Sequence, residues 1–501
     1  MLRFAVHDTS GAGPEFSLEG VMLFDQEDLV VPGTVEFVDG HVECRRHGSR
    51  AVGLGLLFDT GSSGKLSLQT CLLPDRNEPY RLLVELARHR IAIFLAKSEE
   101  WQMLDLSDDH PAMQLWESAR QHLTRALVTR DPVVADEQAM TALNMGIEAS
   151  ERLAMAHAEI LLHRRYASRA ASKTSLGVRV HSRQQGATLK ELVGAHFDLL
   201  TIPMRWAELQ PKPGSYDWSQ VDAWLAWAQD SGKKVIAGPL VDLNPGGLPN
   251  WLIQKKVSSE ELGDLAYGHV EQVVHRYGDA IGMYCTTSGL NTNSVMQLSR
   301  KQMIDIERSL AVLVRQGRRG RKVMIELSQP YGEFLFRNDK ALSPFVYIEQ
   351  LIQEGIRIDA IGLRLLFGGK GEGMAARDFM QIARLLDRFF LLERPLVLTN
   401  VGVPAEQPDQ GGGWWMKPWT PKQQASWASR LFPLALSRPY IESVQWTDLY
   451  DHESTSLDSG GMIDSRGTPR PVLQKLLTMR NKLLKPLGPL SLPRKEDQST
   501  T

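Results

Sequence analysis

Residues 197–252 read FDLLTIPMRWAELQPKPGSYDWSQVDAWLAWAQDSGKKVIAGPLVDLNPGGLPNWL. The stretch opens on a short apolar run at 199–203 and passes through a turn punctuated by Pro211 and Gly214. It continues as an amphipathic segment over 220–229 and returns to an apolar run at 234–239. A short apolar run bounded by Gly or Pro predicts a buried strand, and a following 3.6-residue periodicity predicts a helix that covers it. Strand and helix in alternation build a parallel sheet with helices on its faces.

The same alternation continues on both sides. Candidate strands fall at 176–180, 199–203, 234–239, 283–287, 323–327, 358–364, 396–401 and 443–446. Amphipathic segments lie between them at 220–229, 261–277, 301–316, 344–354, 375–389 and 421–436. Eight such units in about 300 residues predict an α/β fold of the closed (β/α)8 TIM-barrel type over 173–485. An open doubly wound sheet is the alternative. It is disfavoured because no Gly-rich phosphate loop follows the first strand.

Ahead of the barrel, residues 1–106 predict a small β-rich module of sandwich or jelly-roll-like type. VMLF, TVEFV, AVGLGLLF and KLSLQTCLL are short apolar runs broken by PG, DG and GSSG turns. Residues 107–172 predict a helical connector. Asp131 followed by Pro132 has the form of an N-cap and a first-turn proline, and Met140, Leu143, Ile147, Ala154, Ala158 and Leu161 recur at helical spacing after it. The tail at 486–501 is expected to be disordered.

Lys and Arg total 57 against 59 Asp and Glu, a net charge of −2. That balance speaks against nucleic acid or a membrane surface as partner, since either needs a concentrated basic face. No run of about 18 apolar residues predicts a membrane span. The opening MLRFAVHDTSGAGPEF lacks the apolar core of a secretory signal, so a cytoplasmic location is expected. Cys44, Cys71 and Cys285 have no metal-ligand spacing, and neither a metal nor a cofactor is expected.

Within 197–252, Trp206, Pro211, Gly214, Tyr216, Trp218 and Asp222 precede KKVIAG and then LPNWL. This pattern resembles the second and third βα units of family-10 glycoside hydrolases, the xylanase family. VVHRYGDAIGMY (273–284), IRIDAIGLRL (356–365), RPLVLTNVGV (394–403) and IESVQWTDLYD (441–451) are similar, in order, to the family's strands 4, 6, 7 and 8. GMIDSRGTPRPVLQKL is similar to its closing loop and last helix. The resemblance covers nearly the whole barrel and none of 1–170. It implies hydrolysis of β-1,4-linked, xylan-type glycans, with an oligosaccharide or polysaccharide as the expected partner.

Retaining hydrolysis needs two carboxyl groups about 5–5.5 Å apart, one acid/base and one nucleophile. In the family both are Glu, at the C-terminal ends of strands 4 and 7, where such a barrel presents residues to substrate. The family's strand 4 runs Trp-Asp-Val-Val-Asn-Glu; this chain has Tyr284-Cys285-Thr286-Thr287-Ser288-Gly289, which puts the acid/base position on Gly289. The family's strand 7 runs Thr-Glu-x-Asp; this chain has Thr399-Asn400-Val401-Gly402, which puts the nucleophile position on Asn400. Glycine carries no proton donor, and a neutral amide is neither a good nucleophile nor an anion. The strand-2 Glu-Asn and strand-3 His are also missing, and the strand-6 Gln-x-His appears as Arg364-Leu365-Leu366. The resemblance therefore implies a site degenerate at its catalytic positions, kept for glycan binding or as a scaffold.

Glu326 interrupts the apolar strand VMIEL and is the candidate for a relocated catalytic carboxylate in an active O-glycosyl hydrolase. Asp242, Asp448 and Asp451 fall near the same mouth, where rim salt bridges or caps explain them as well. Expected sugar-binding residues are Arg205, Trp206, Asp242, Asn291, Arg364, Trp446 and Asp448. Trp414, Trp415 and Trp419, in the Gly-rich stretch after strand 7, offer exposed indole faces for sugar stacking. Trp206, Trp218, Trp224 and Trp227 also fit ordinary packing. The 111–169 helices and the N-terminal module are candidate surfaces for a protein partner. Asp59-Thr60-Gly61-Ser62-Ser63 resembles the active-site loop of pepsin-like aspartic proteases, which need a second aspartate from another lobe. Asp230-Ser231-Gly232 and Asp458-Ser459-Gly460 do not lie in such a lobe, and a hairpin turn explains the segment more simply.

Overall fold

All eight expected barrel strands form: Leu176–Arg179, Leu199–Ile202, Lys234–Ala237, Met283–Ser288, Lys322–Leu327, Ala360–Leu366, Leu396–Gly402 and Ile441–Trp446, called barrel strands 1 to 8. The computed structural model describes residues 1–6, 16–26, 29–46, 48, 50–168, 176–181, 186–278, 280–316, 320–338, 341–453 and 455–483. The tail expected to be disordered lies outside them. Every strand pairs in parallel with the next, and strand 8 returns to strand 1 with Val444 opposite Leu176. That closure excludes the open sheet. Leu199, Ile236, Cys285, Met324, Ala360 and Val397, from six different strands, form a separate apolar cluster that plugs the barrel. Alternate residues such as Val323, Ile325 and Leu327 join the main core with the helices, as the period-2 geometry of a strand requires.

The N-terminal runs make two small sheets. One has the order Gly33–Val38, His41–Arg46, Leu2–Ala5, Tyr80–Arg81. Its first hairpin turns at Asp39 and Gly40, with φ of 48° and 75°, the two left-handed residues of a type I′ turn. The other has the order Trp414–Trp415, Gly64–Gln69, Gly53–Asp59, Met22–Phe24, Val30–Val31. Its outer strand comes from the barrel.

Two expectations need correction. Residues 82–106 are not β structure, because Leu82–Glu100 is a 19-residue α-helix. The 107–172 segment is not merely a connector. Pro111–Val128 and Pro132–Ala167 form a hairpin packed on that helix and on the barrel helices Phe379–Phe390 and Pro421–Leu436. Asp131 does cap the 36-residue Pro132–Ala167, accepting from Val133 and Val134 N. The helix's apolar face, including Leu143, Ile147 and Ala154, is used within the chain. Among the described residues no helix is long and apolar enough to cross a membrane.

A candidate active site at the barrel mouth

The motif that decides the fold builds the rim. Trp206 stacks on His269 with ring centroids 4.8 Å apart, and Tyr216 stacks on Trp218 at 4.7 Å. Asp222, the last residue of the motif, accepts from Tyr277 Oη at 2.7 Å and from Arg276 Nε at 3.1 Å. Arg276 and Tyr277 are the Arg-Tyr of the second matching run, so two separate motifs prove to be one contact. Burial pushes the His269 imidazole down to about 3, so it sits neutral in the stack. Trp206 is 1% exposed and donates Nε1 to Gln210 Oε1 at 2.7 Å. It is a packing residue, and its expected role in sugar binding is corrected.

Gly289, the residue expected at the acid/base position, has φ 74°. A Cβ there would stand 2.7 Å from Asn244 Cγ and 2.9 Å from Asn244 N. The space that a longer side chain would need is already filled. Asn244 Nδ2 donates to Asp242 Oδ1 at 2.7 Å and to Ser288 Oγ at 2.9 Å, and Ser288 Oγ donates to Glu326 Oε1 at 2.6 Å. Asp242 and Glu326 are thereby joined through two neutral side chains, both carboxylates buried.

Asn400, the residue expected at the nucleophile position, is 1% exposed and lies opposite Arg364 of strand 6. Its Oδ1 is buried and accepts no hydrogen bond among the described residues. Strand 4 carries a bulge between Cys285 and Ser288. In a regular strand Thr286 and Thr287 would face opposite sides; the bulge lets both hydroxyls donate to Glu307 of the helix Arg300–Arg315. Ser288 is then free to face Glu326. Burial raises Glu307 to about 7, even though Thr287, Tyr347 and Thr286 donate to it.

The mouth encloses a cavity of about 470 Å³, lined by barrel residues that include Arg205, Asp242, Asn244, Ser328, Gln329 and Arg364. The N-terminal sheets border a neighbouring cavity of about 450 Å³ that shares Gly371, Glu372, Gly373 and Met374 with the mouth cavity.

The family model described as glycosyl hydrolase family 10 matches residues 165–478, well over half of the chain. The chain belongs to glycosyl hydrolase family 10. A curated relative, Endo-1,4-beta-xylanase B of Thermotoga neapolitana, is 24% identical over 282 residues, which are 52% of this chain and 73% of that protein. Among solved structures, the Penicillium canescens endo-1,4-beta-xylanase XylE matches with TM-score 0.50 at 13% identity, covering 66% of this chain and 99% of that one. A GH10 structure from Paenibacillus barcinonensis matches with TM-score 0.49 at 18% identity, covering 63% and 97%.

Other residues expected to bind sugar on this family-10 barrel are engaged elsewhere. Trp446 is wholly buried, with Nε1 donated to Gly460 O at 2.8 Å. Trp415 is 1% exposed and donates Nε1 to Glu151 Oε1 at 2.7 Å. Trp414 is half-buried in the strand it forms against Lys65, and Trp419 is 2% exposed. Trp415 and Trp419 are therefore internal, and the expected exposed indole faces are corrected at those two positions, while Met416, Lys417 and Pro418 stay exposed. Asn291 donates to Ser328 O at 2.8 Å and accepts from Ser328 N at 3.2 Å, extending the pairing of strands 4 and 5. Asp448 accepts from Thr447 Oγ1 and lies 3.3 Å from His452 Nε2, and Asp451 pairs with Arg470 at 2.5 Å. The Asp59 segment is a hairpin turn in which Asp59 Oδ1 accepts from Gly61 N at 2.9 Å, while Asp59, Asp230 and Asp458 are all exposed on separate elements. Sequence reasoning missed Asn244; its only signal was the turn-forming run Asn-Pro-Gly-Gly at 244–247.

Proposed function

We propose that this family-10 barrel binds a xylan-type glycan at its mouth and does not hydrolyse it by the retaining mechanism. The observation that carries this reading is Gly289. Its left-handed backbone and the Asn244 carboxamide packed against it leave no room for an acid/base side chain. Asn400 adds to it, since a buried neutral amide forms no glycosyl ester. The name of the Thermotoga neapolitana relative supports the xylan class, and the cavity supports retained binding. A hydrolase with relocated carboxylates is the competing reading, because Asp242 and Glu326 share the Asn244–Ser288 link. Calorimetric titration of the full chain with xylotetraose, with chromatography of the products, separates the two. Saturable binding with intact xylotetraose is expected. Release of shorter sugars that Glu326→Gln abolishes would overturn the proposal, as would absence of any binding.

A further inference from the structure

The mouth holds cations that its own carboxylates do not use. Asp242 is held by Asn244, Glu326 by Ser288, and Asp448 by Thr447 and His452. Arg205 is 3.7 Å from Glu208, and Glu372 on the rim is 3.9 Å from Arg337. Among the described residues, neither Arg179 nor Arg364 makes an ion pair or a hydrogen bond. Arg179 stands at the C-terminal end of strand 1 and is only 5% exposed. Arg364 lines the cavity from strand 6. Burial and the neighbouring Arg179 push Arg205 below the ordinary arginine range, and Arg364 acts in the same sense against Glu208 and Asp242. Arg205 therefore lies within electrostatic range of both Arg179 and Arg364.

Arg179 is largely withdrawn from water and Arg364 half-buried, neither with an ion-pair partner among the described residues, and a poorly solvated guanidinium favours an anion supplied from outside. An acceptor on the cavity wall is also unused: Gln329 Oε1 accepts no hydrogen bond among the described residues. Unsatisfied acceptors fit hydroxyl donors, and unpaired guanidinium groups fit a carboxylate or a phosphate. We infer that the ligand of this mouth is an acidic sugar, its anionic group held by Arg364 and Arg179 and a hydroxyl donating to Gln329. This deepens the proposed function and rests on its claim that the mouth binds a glycan.

The test is calorimetric titration of the full chain with D-glucuronate, D-glucose 6-phosphate, D-glucose, inorganic phosphate and xylotetraose. Glucuronate or glucose 6-phosphate is expected to bind more tightly than glucose, and whichever binds identifies a carboxylate or a phosphate ester as the anion. Arg364→Gln and, separately, Arg179→Gln should weaken that binding by about tenfold, the worth of one charge-assisted contact, a larger loss than either variant causes in xylotetraose binding. A circular dichroism melt checks each variant's fold. Xylotetraose binding with no preference for acidic sugars would overturn the inference and leave the glycan reading standing. No sugar binding at all would overturn both. Inorganic phosphate binding as tightly as glucose 6-phosphate would mean an adventitious ion only and would also overturn it.

Discussion

Gly289 and Asn244 pack so closely that neither leaves room for the other to change. Gly289 takes a left-handed φ that a side chain strains, and its Cβ direction points into the Asn244 carboxamide. Gly289→Ala should therefore cost roughly 1–3 kcal/mol from strain and overpacking combined, read as a lower denaturant midpoint. An unchanged midpoint would mean that Asn244 moves aside freely. Restoring the family's two carboxylates by Gly289→Glu with Asn400→Glu is expected to lose stability and to gain no turnover on aryl β-xylosides. At this scale the sequence offered Gly289 and Asn400 through the motifs that flank them. The role of Asn244 was not legible. It depends on a three-dimensional approach between the ends of strands 3 and 4, and no periodicity reports that.

At the scale of elements, the bulge in strand 4 ties the strand to the helix Arg300–Arg315 through Glu307. Burial raises Glu307 from 4.5 to about 7 in the folded protein. Its contribution to stability is thus fully present below about pH 4.5 and is lost as pH rises through about 7, where the folded state must bury a charge. Glu307→Gln keeps the acceptor for Thr287 and Tyr347 and removes the titration. The fall in unfolding free energy between pH 4.5 and 7 should be shallower in the variant, measured by denaturant titration at several pH values; an identical fall would show that Glu307 is not its source. Glu151, also raised to about 7, by burial and Asp378, adds a fall of the same sign. The strands were legible as short apolar runs between turns. The helix Leu82–Glu100 was not, because apolar residues occupy several of its sides. A helix contacting the β unit on one side and the long helices on the other shows no single stripe.

At the scale of the molecule, the N-terminal unit and the barrel share one continuous core that runs from Leu2 to Met479. Trp414–Trp415 adds a strand to the N-terminal sheet, Gln381 Nε2 donates to Ser67 O at 2.7 Å, and Arg90 pairs with Asp378 at 2.6 Å with side chains only 3% and 0% exposed. A single cooperative unfolding transition is expected, the same by tryptophan fluorescence and by far-ultraviolet dichroism; two separated transitions would contradict the shared core. Arg90→Ala leaves Asp378 buried without its partner and should cost about 3–5 kcal/mol. This seam was invisible in the sequence, because a Gly-rich run with three tryptophans has the same composition whether it meets sugar or a distant sheet edge. The barrel was legible because eight repeated units carry it.

The central claim is that this family-10 barrel has kept its mouth and lost the covalent step. The most direct measurement is intact-protein mass spectrometry after incubation with an activated 2-deoxy-2-fluoro β-xyloside, which traps the glycosyl ester of a working nucleophile. The expected result is a mass identical to that of the untreated chain. A stoichiometric adduct mapped to Glu326, Asp242 or any other carboxylate of the mouth would contradict it.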